Sequence, residues 1–235
     1  GILVARRLAT PLPLSGKRRE QTAPQAMAVV PVLRFRGSFT SSLQCLVSNV
    51  ELILPLLLRL RHVMSEQERR CQLITVISSH LGEGKSTIAL CLAIAAAQSG
   101  LRTILVDANP QRPVVHTYFQ VFEGDGTLKN IRALAANMSG ASLKLHMILP
   151  NLHIIPIGKS RQERAIEAWE EPFRIDGLRP FLAMLRLKAD MIICDGPALL
   201  HDINVAGLAT LSDAILLVVD VQRSQHAAVR EATER

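Results

Sequence analysis

The sequence predicts an α/β fold in which a mostly parallel β-sheet is covered by helices on both faces. Three observations predict this fold. From residue 71 onward, short apolar runs alternate with helix-length segments; a glycine-rich loop separates the first run from the first long helix; and two later runs end in aspartate. Strands separated by helix-length segments indicate a parallel sheet with two covered faces. With 49% hydrophobic residues, the 235-residue chain can bury such a core.

Five runs are predicted as strands and three as helices. Leu73–Ser78 is a continuous apolar run suited to a buried parallel strand. Lys85–Ser99 is rich in Ala, Leu and Ile, and Gly100 ends this predicted helix. The other predicted strands are Thr103–Asp107, Leu152–Ile157, Met191–Asp195 and Ala214–Val221, and the other predicted helices are Phe181–Lys188 and Val205–Leu211.

The N-terminal part of the chain differs from the rest in charge. Residues 1–72 hold 11 basic and 4 acidic residues, a balance of +7, whereas the remainder holds 16 of each sign. Residues 1–37 combine prolines with basic residues and show no sustained period, so we predict a basic linker. Residues 38–70 are predicted as a helical segment and residues 71–235 as the main domain. The apolar stretch at 50–60 is interrupted by charges and a proline, and is shorter than the ~20 residues of a membrane span.

The first residues allow a more specific interpretation. Gly1–Ala5 are apolar and are followed by Arg6 and Arg7, which is typical of the end of a removed membrane helix with its positive cytoplasmic flank. The residues alone leave a solvated linker, an anionic-lipid contact and a nucleic-acid contact open. One Trp and one Tyr leave few rings for base stacking, so nucleic acid is not expected. The four cysteines show no metal-ligand spacing and favour a reducing compartment.

A phosphate-binding loop is predicted at residues 78–87, which read SSHLGEGKST. The pattern G-x-x-x-x-G-K-[ST] fails only at its first glycine, which is Ser79 here. A predicted strand precedes the loop and a predicted helix follows it, as the pattern requires.

The residue types of this loop suit a triphosphate. Gly82 and Gly84 permit backbone angles at which successive N–H groups converge on phosphate oxygens. Lys85 supplies a positive charge, Ser86 a hydroxyl for Mg²⁺, and the helix N-terminus a favourable potential. The candidate nucleotide-binding residues of the loop are Gly82, Glu83, Gly84, Lys85, Ser86 and Thr87.

Two aspartates end predicted strands, Asp107 and Asp195. Residues just past the carboxyl ends of neighbouring parallel strands meet in the ligand crevice of an open sheet. We therefore predict that Lys85, Asp107 and Asp195 are the catalytic residues, and that Ser86 joins the two aspartates as the Mg²⁺ ligands. The alternative is that each carboxylate only caps local N–H groups.

Five stretches of the chain follow one another in an informative order: SSHLGEGKST, LVDANPQRPVVHTYF, NLHIIPIG, ADMIICDGPALLHD and LSDAILLVV. In this order, over about residues 73–221, the chain resembles the bacterial tyrosine kinases (BY-kinases). These are the cytoplasmic ATPase domains of exopolysaccharide and capsule chain-length regulators, and relatives of the ParA/MinD ATPases. The resemblance implies a P-loop NTPase with ATP and Mg²⁺ as cofactors. It matches Asp107 and Arg112 to the family's DxDxR motif, Asp195 to the Walker B aspartate and Asp202 to a later aspartate, so Arg112 joins the nucleotide-binding residues.

The resemblance also implies a function and a location. A BY-kinase is a non-specific protein-tyrosine kinase that phosphorylates itself and regulates the polymerisation and export of exopolysaccharide or capsule. The implied partners are ATP, further copies of the chain, and a transmembrane polysaccharide co-polymerase subunit or the chain's own removed membrane segment. The implied location is the cytoplasmic face of the inner (plasma) membrane, which favours a juxtamembrane role for residues 1–37.

Departures from the family pattern put the kinase activity in doubt. The second acid of DxDxR is Asn109, which accepts no proton as a carboxylate does and adds no negative charge beside a metal. The usual Thr-Pro-Pro after the Walker B aspartate is Gly196-Pro197-Ala198. Three charged residues of the family's intersubunit helix fall on Ser41, Gln44 and Val47. The sole tyrosine is Tyr118, with no C-terminal tyrosine cluster, so we expect the C-terminal end to be incomplete.

Two alternatives to a working kinase therefore stay open. One is a catalytically silent, nucleotide-binding scaffold for a membrane polysaccharide co-polymerase. The other is a positioning ATPase of the ParA/MinD kind, which Ser79 and His80 disfavour because those proteins usually carry an extra lysine early in the loop.

Overall fold

The computed structural model describes residues 2–5, 27–30, 50–65, 71–109, 112–119, 121, 145–156, 175–199 and 205–220. The strands are β1 (Ile2–Ala5), β2 (Met27–Val30), β3 (Gln72–Ser78), β4 (Thr103–Asp107), β5 (His146–Leu149), β6 (Leu152–Ile155), β7 (Met191–Ala198) and β8 (Ala214–Val218). The helices are α1 (Val50–Ser65), α2 (Lys85–Gln98), α3 (Val115–Phe119), α4 (Ile175–Arg186) and α5 (Val205–Leu211).

One mixed sheet organises these elements, with strand order β2-β1-β8-β3-β7-β4-β6-β5. Strands β8, β3, β7, β4 and β6 pair in parallel, whereas the edge strands β2 and β5, and β1 next to β2, pair antiparallel. From β3 the chain crosses β7 to reach β4, and from β7 it crosses β3 to reach β8. The two connections leave neighbouring strands in opposite directions, which opens a crevice at the carboxyl ends of β3 and β7.

Alternation along the strands sends apolar side chains to both faces of the sheet. Ile74 and Val76 of β3 point to the face covered by α1 and α2. Leu73 of β3 and Ile192 of β7 point to the opposite face, which is covered by α4 and α5. Because both faces are buried, the central strands are almost continuously apolar, as expected for a parallel sheet. The predicted arrangement of helices on both faces is confirmed.

Helix α2 lies inside the domain rather than on its surface. Twelve of its 14 residues are buried, because the sheet covers one side and α1 packs on another. Helix α1 contributes five large side chains that are almost completely buried: Ile53, Leu56, Leu57, Leu60 and Met64. Burial of each such side chain is worth about 1.5–3 kcal/mol, so α1 is an integral part of the core.

The structure corrects the prediction for the first residues. Within the predicted linker of residues 1–37, residues 2–5 and 27–30 are strands, and β1 pairs with the edge of β8. Residues 2–5 are therefore extended and do not end a helix. Pairing with β8 satisfies backbone N–H and C=O groups at a sheet edge that would otherwise be open. Four apolar residues can form such a strand whatever their local conformational preference.

Several predictions fall on residues outside the described part of the chain. These include Asp202, the family's intersubunit positions at 41–47, and the end of the chain after residue 220. The predicted helical segment at 38–70 is helical over 50–65, and its remaining residues are not described. Among the helices that the structure describes, none combines the length and the apolar character of a membrane span.

A buried ion pair joins α4 to the loop before β8. The guanidinium of Arg186 lies 2.8 Å from Oδ2 of Asp213 and also donates to the carbonyl oxygen of Cys71 at 2.6 Å. The same Oδ2 accepts a hydrogen bond of 2.7 Å from the N–H of Leu73, and the Asp213 N–H donates back to the Leu73 carbonyl. This network fixes the start of β3 against β8, at the opposite end of β3 from the glycine-rich loop.

We expect the substitution Gly196→Ala to destabilise the domain by about 1–3 kcal/mol. A Cβ at residue 196 would lie 3.0 Å from the carbonyl oxygen of Val76 and 3.1 Å from Cγ2 of Ile77. This contact lies where the β3–β7 register shifts, so one of two central strands must move. Urea unfolding of the purified variant measures the loss, and an unchanged midpoint would show that β3 accommodates the methyl group.

Candidate functional site

The glycine-rich loop joins the end of β3 to the start of α2. Gly82 and Gly84 have φ angles of +84° and +87°, a left-handed conformation that residues with a Cβ adopt at a cost. Gly84 is also the N-cap of α2. The two glycines turn the chain so that Lys85 begins the helix and the loop closes over its N-terminus.

Two side chains of the loop hold its shape. The hydroxyl of Ser78 donates a hydrogen bond of 2.7 Å to the carbonyl oxygen of His80, and the N–H of His80 donates one of 2.8 Å to Oε2 of Glu83. Glu83 thus braces the loop from within. The sequence predicts Glu83 as a nucleotide-binding residue. The phosphate-loop pattern allows any residue type at this position, so the motif could not predict that Glu83 supports the loop.

Lys85 faces Asp195 across the mouth of the crevice. Its Nζ lies 3.8 Å from Oδ1 of Asp195 and donates a hydrogen bond of 3.3 Å to the hydroxyl of Ser86. The side chain of Asp195 is completely buried and that of Lys85 is 9% exposed. The structure therefore brings together three of the predicted site residues from β7 and the first turn of α2.

Asp107 completes this group from the neighbouring strand. It is the register partner of Asp195 in the parallel pair β4–β7, so both side chains leave the same face of the sheet. Oδ1 of Asp107 accepts a hydrogen bond of 3.3 Å from the N–H of Asn109, and Oδ2 accepts one of 3.2 Å from the N–H of Val115. Asp107 therefore accepts hydrogen bonds from nearby backbone N–H groups, as the alternative interpretation expected. It also lies beside Asp195, as the metal-site interpretation expected.

Burial and mutual repulsion change the proton affinity of the two acids. Burial, followed by the negative charge of Asp195, raises the pKa of Asp107 from 3.8 to about 8. Burial also raises the pKa of Asp195, and the nearby ammonium group of Lys85 opposes this rise. Two carboxylates so placed are stable as anions only with positive charge close by.

We expect the nucleotide-free domain to lose stability as the pH rises from about 4 to about 8. The raised pKa favours a protonated Asp107 in the folded domain below about pH 8, whereas the unfolded chain releases this proton above about pH 4. The free energy of unfolding should therefore fall by up to about 1.4 kcal/mol per pH unit and level off above pH ~8. Urea unfolding across this range measures the slope, and Asp107→Asn should reduce it. An equal slope in the variant would contradict the assignment.

Several buried polar atoms of the site are suited to contact Mg²⁺ and a nucleotide. Both carboxylate oxygens of Asp195 and the hydroxyl of Ser79 are buried without a close hydrogen-bond partner. For Asp195, the side chains of Lys85 and Ser86 stand near enough to oppose the rise in its pKa. No three His, Cys, Asp or Glu side chains cluster as a metal site within the described ranges. Mg²⁺ usually takes one or two carboxylates and completes its shell with phosphate oxygens and water. Asp195, Asp107 and the Ser86 hydroxyl fit such a shared site.

The remaining predicted site residues lie further from the two acids. Arg112 is exposed, and its backbone N–H donates a hydrogen bond of 3.2 Å to the carbonyl oxygen of Asn109. None of the contacts among the described residues brings its guanidinium to Asp107 or Asp195. Thr87 is buried in the first turn of α2, and Asn109 is 2% exposed beside Asp107.

The sheet topology, the loop and the paired acids together define a P-loop NTPase-like α/β domain. The family model described as "AAA domain" matches residues 71–231, and the chain belongs to this family.

Two of the similar proteins are named tyrosine-protein kinases, and a third is named a succinoglycan biosynthesis transport protein. Tyrosine-protein kinase CpsD of Streptococcus agalactiae is 26% identical over 165 residues, which cover 70% of this chain and 69% of the relative. Tyrosine-protein kinase YwqD of Bacillus subtilis is 26% identical over 168 residues, covering 70% and 68%. Succinoglycan biosynthesis transport protein ExoP of Rhizobium meliloti is 26% identical over 160 residues, covering 68% of this chain and 20% of the relative. These relatives confirm the resemblance to BY-kinases.

Solved structures support the fold. The kinase domain of Escherichia coli tyrosine kinase ETK has a TM-score of 0.68 at 21% identity and covers 86% of this chain and 78% of that one. The VpsO kinase domain has a TM-score of 0.62 at 24% identity, with coverage of 79% and 86%. At these identities the similarity shows the fold alone, and it confirms the predicted fold class.

Proposed function

We propose that this domain binds ATP with Mg²⁺ and acts as a BY-kinase-like autokinase in the regulation of exopolysaccharide or capsule export, with activity weakened by Asn109. The observation that carries the proposal is the buried pair Asp107–Asp195 facing Lys85 at the start of α2. The names of the relatives CpsD, YwqD and ExoP support the kinase and polysaccharide parts of the proposal.

Each residue of the site has a proposed role. The N–H groups of residues 82–87 and the Lys85 ammonium bind the phosphates, as loop amides and a helix N-terminus do for anions. Ser86, Asp107 and Asp195 hold Mg²⁺, which supplies charge neutralisation and orientation of the phosphates when it is bound. Glu83 keeps the loop in its binding shape through the His80 N–H.

Asn109 supports a second candidate function, a nucleotide-binding scaffold without turnover. Its side chain is nearly completely buried beside Asp107, where the family pattern has a carboxylate. An amide adds no proton acceptor at this point. Tyr118, the sole tyrosine in the sequence, is half-buried against the core and is a poor acceptor for a phosphoryl group.

A labelling experiment separates the two candidates. Wild type, Asn109→Asp and the double variant Lys85→Ala/Asn109→Asp are incubated with γ-labelled ATP, Mg²⁺ and a synthetic Glu/Tyr copolymer as acceptor. We expect faint label with wild type, stronger label with Asn109→Asp and none with the double variant. Absence of label from both wild type and Asn109→Asp, in protein that binds MgATP, would overturn the kinase proposal and favour the scaffold.

We further propose that the domain works at the cytoplasmic face of the plasma membrane, with a transmembrane polysaccharide co-polymerase subunit as its partner. The charge of +7 on residues 1–72 and the polysaccharide-transport name of the relative ExoP support this proposal. A pull-down with a tagged co-polymerase from the same genome, in the presence and absence of MgATP, tests it. Equal recovery of an unrelated membrane protein would contradict it.

A further inference from the structure

The unpartnered buried oxygens of the domain lie in one region. Within the described part of the chain, three buried side-chain oxygens have no hydrogen-bond partner: Oγ of Ser79, Oδ1 of Asp195 and Oδ2 of Asp195. Ser79 directly follows β3, and Asp195 lies in the adjacent strand β7, paired with Val76. Asp195 lies three residues before the end of β7, so all three atoms belong to residues in or just past the carboxyl-terminal halves of two neighbouring strands, on the side where the crevice opens.

The hydroxyl of Ser79 differs from those of two other buried serines. Ser78 donates its hydroxyl proton to the carbonyl oxygen of His80, and Ser212 donates to the carbonyl oxygen of Leu208 while it bonds Thr75. Ser79 is completely buried and has no such partner. Leaving a buried hydroxyl unpaired is unfavourable, and the phosphate-loop pattern has a glycine at this position, which carries no hydroxyl. Loop closure alone therefore does not require this serine.

Neither the Asp195 carboxylate nor the Ser79 hydroxyl has a close hydrogen-bond partner, although the Lys85 ammonium lies 3.8 Å from Asp195, and the two groups suit ligands of opposite charge. The carboxylate of Asp195 only accepts hydrogen bonds and attracts a cation, whereas the hydroxyl of Ser79 can donate a proton to an anionic oxygen. A magnesium-bound phosphate chain supplies both. Hydrogen bonds from a hydroxyl to an ionised oxygen are short and stronger than neutral ones.

We propose that Ser79 is a further nucleotide-positioning residue, whose hydroxyl donates a hydrogen bond to a phosphate oxygen of the bound nucleotide. This inference rests on the proposed nucleotide binding. It adds the Ser79 hydroxyl as a hydrogen-bond donor at a position where the loop pattern has glycine. If so, the Ser79 hydroxyl lowers the stability of the nucleotide-free domain and raises its affinity for the nucleotide.

The test compares stability and binding in three variants. Ser79→Ala and Ser79→Gly remove the unpartnered hydroxyl, and Ser212→Ala removes a buried hydroxyl that has its partners. Thermal unfolding of the nucleotide-free proteins gives the melting temperature, and calorimetric titration with MgATP and with magnesium tripolyphosphate gives the dissociation constants. Tripolyphosphate carries no base or sugar, so it reports on the phosphate contact alone.

The melting temperature is expected to change in opposite directions when Ser79 and Ser212 are replaced by alanine. Ser79→Ala should raise the melting temperature of the empty domain by about 2–4 °C. It should also weaken both ligands about tenfold, which corresponds to about 1.4 kcal/mol. Ser79→Gly should weaken both ligands by a similar factor. Ser212→Ala should lower the melting temperature and leave both dissociation constants unchanged.

The outcomes separate this inference from the proposed function. Wild type that binds neither ligand would overturn nucleotide binding itself, and the role of Ser79 with it. Wild type that binds both, with Ser79 variants that bind equally well, would overturn only the role of Ser79. A loss confined to MgATP would also overturn it, because the hydroxyl would then contact the nucleoside.

Discussion

Replacing Lys85 with alanine should weaken the binding of MgATP by at least about a hundredfold. The ammonium group supplies the positive charge closest to the buried carboxylate of Asp195, 3.8 Å away, and stands at the first turn of α2 where the phosphates are proposed to bind. Without it, the phosphates lose a charged hydrogen-bond donor, and Mg²⁺ alone must offset the negative charge of the phosphates and the two buried acids. Calorimetric titration with MgATP measures the change.

An exposed lysine provides the matched control for this prediction. Lys188 lies at the surface after α4, so Lys188→Ala removes the same charge at a distance from the loop. The control variant should bind MgATP as wild type does. If Lys85→Ala and Lys188→Ala bind equally well, the proposed phosphate site is wrong.

The substitution Asp213→Ala should destabilise the domain by about 3–5 kcal/mol. It leaves the guanidinium of Arg186, whose side chain is 23% exposed, without its carboxylate at 2.8 Å. It also removes the acceptor of the Leu73 N–H at the start of β3. Breaking one partner of a buried pair costs more than the pair itself contributes, because a charge remains behind. Urea unfolding measures the loss.

Two further variants make this prediction specific to the buried pair. Asp190 forms a comparable pair with Arg102 at the surface, where the side chains are 33% and 60% exposed. Asp190→Ala should therefore cost much less, since water screens exposed pairs. The double variant Arg186→Leu/Asp213→Leu should recover much of the stability lost in Asp213→Ala. If Asp213→Ala costs no more than Asp190→Ala, the buried network does not hold β3 and β8 together.

The elements that the sequence predicts correctly are those whose residues themselves favour the conformation, such as continuous apolar runs for buried strands and Ala- and Leu-rich segments for helices. The bounds of β4 and α5 agree with the predicted ranges, and α2 ends one residue earlier than predicted. Strands β1, β2 and β5 have four residues each; β2 and β5 are the edge strands, and β1 lies next to β2. Their conformation depends on pairing with distant residues, so a local pattern could not predict them. The ion pair of Arg186 and Asp213 was missed for the same reason, because 26 residues separate the two along the chain.

The candidate site was predictable where chemistry and strand position coincide. The loop pattern and the two acids predicted at strand ends indicated that Lys85, Asp107 and Asp195 would lie together, and the structure brings them together. Asp107 does end β4, whereas β7 continues for three residues past Asp195, so that predicted strand end was wrong. The bracing contact of Glu83 and the unpartnered hydroxyl of Ser79 could not be predicted. Both depend on where a side chain points within a tight loop, which a sequence pattern does not record.

The packing of α1 on α2 affects how the domain can be produced for these experiments. The family match begins at residue 71, yet the outer side of α2 is covered by a helix that ends at residue 65. Recombinant protein trimmed to the family boundary would expose a helix made largely of Ala, Leu and Ile to water. Such a surface promotes aggregation, so soluble expression requires that the cut be placed ahead of Val50.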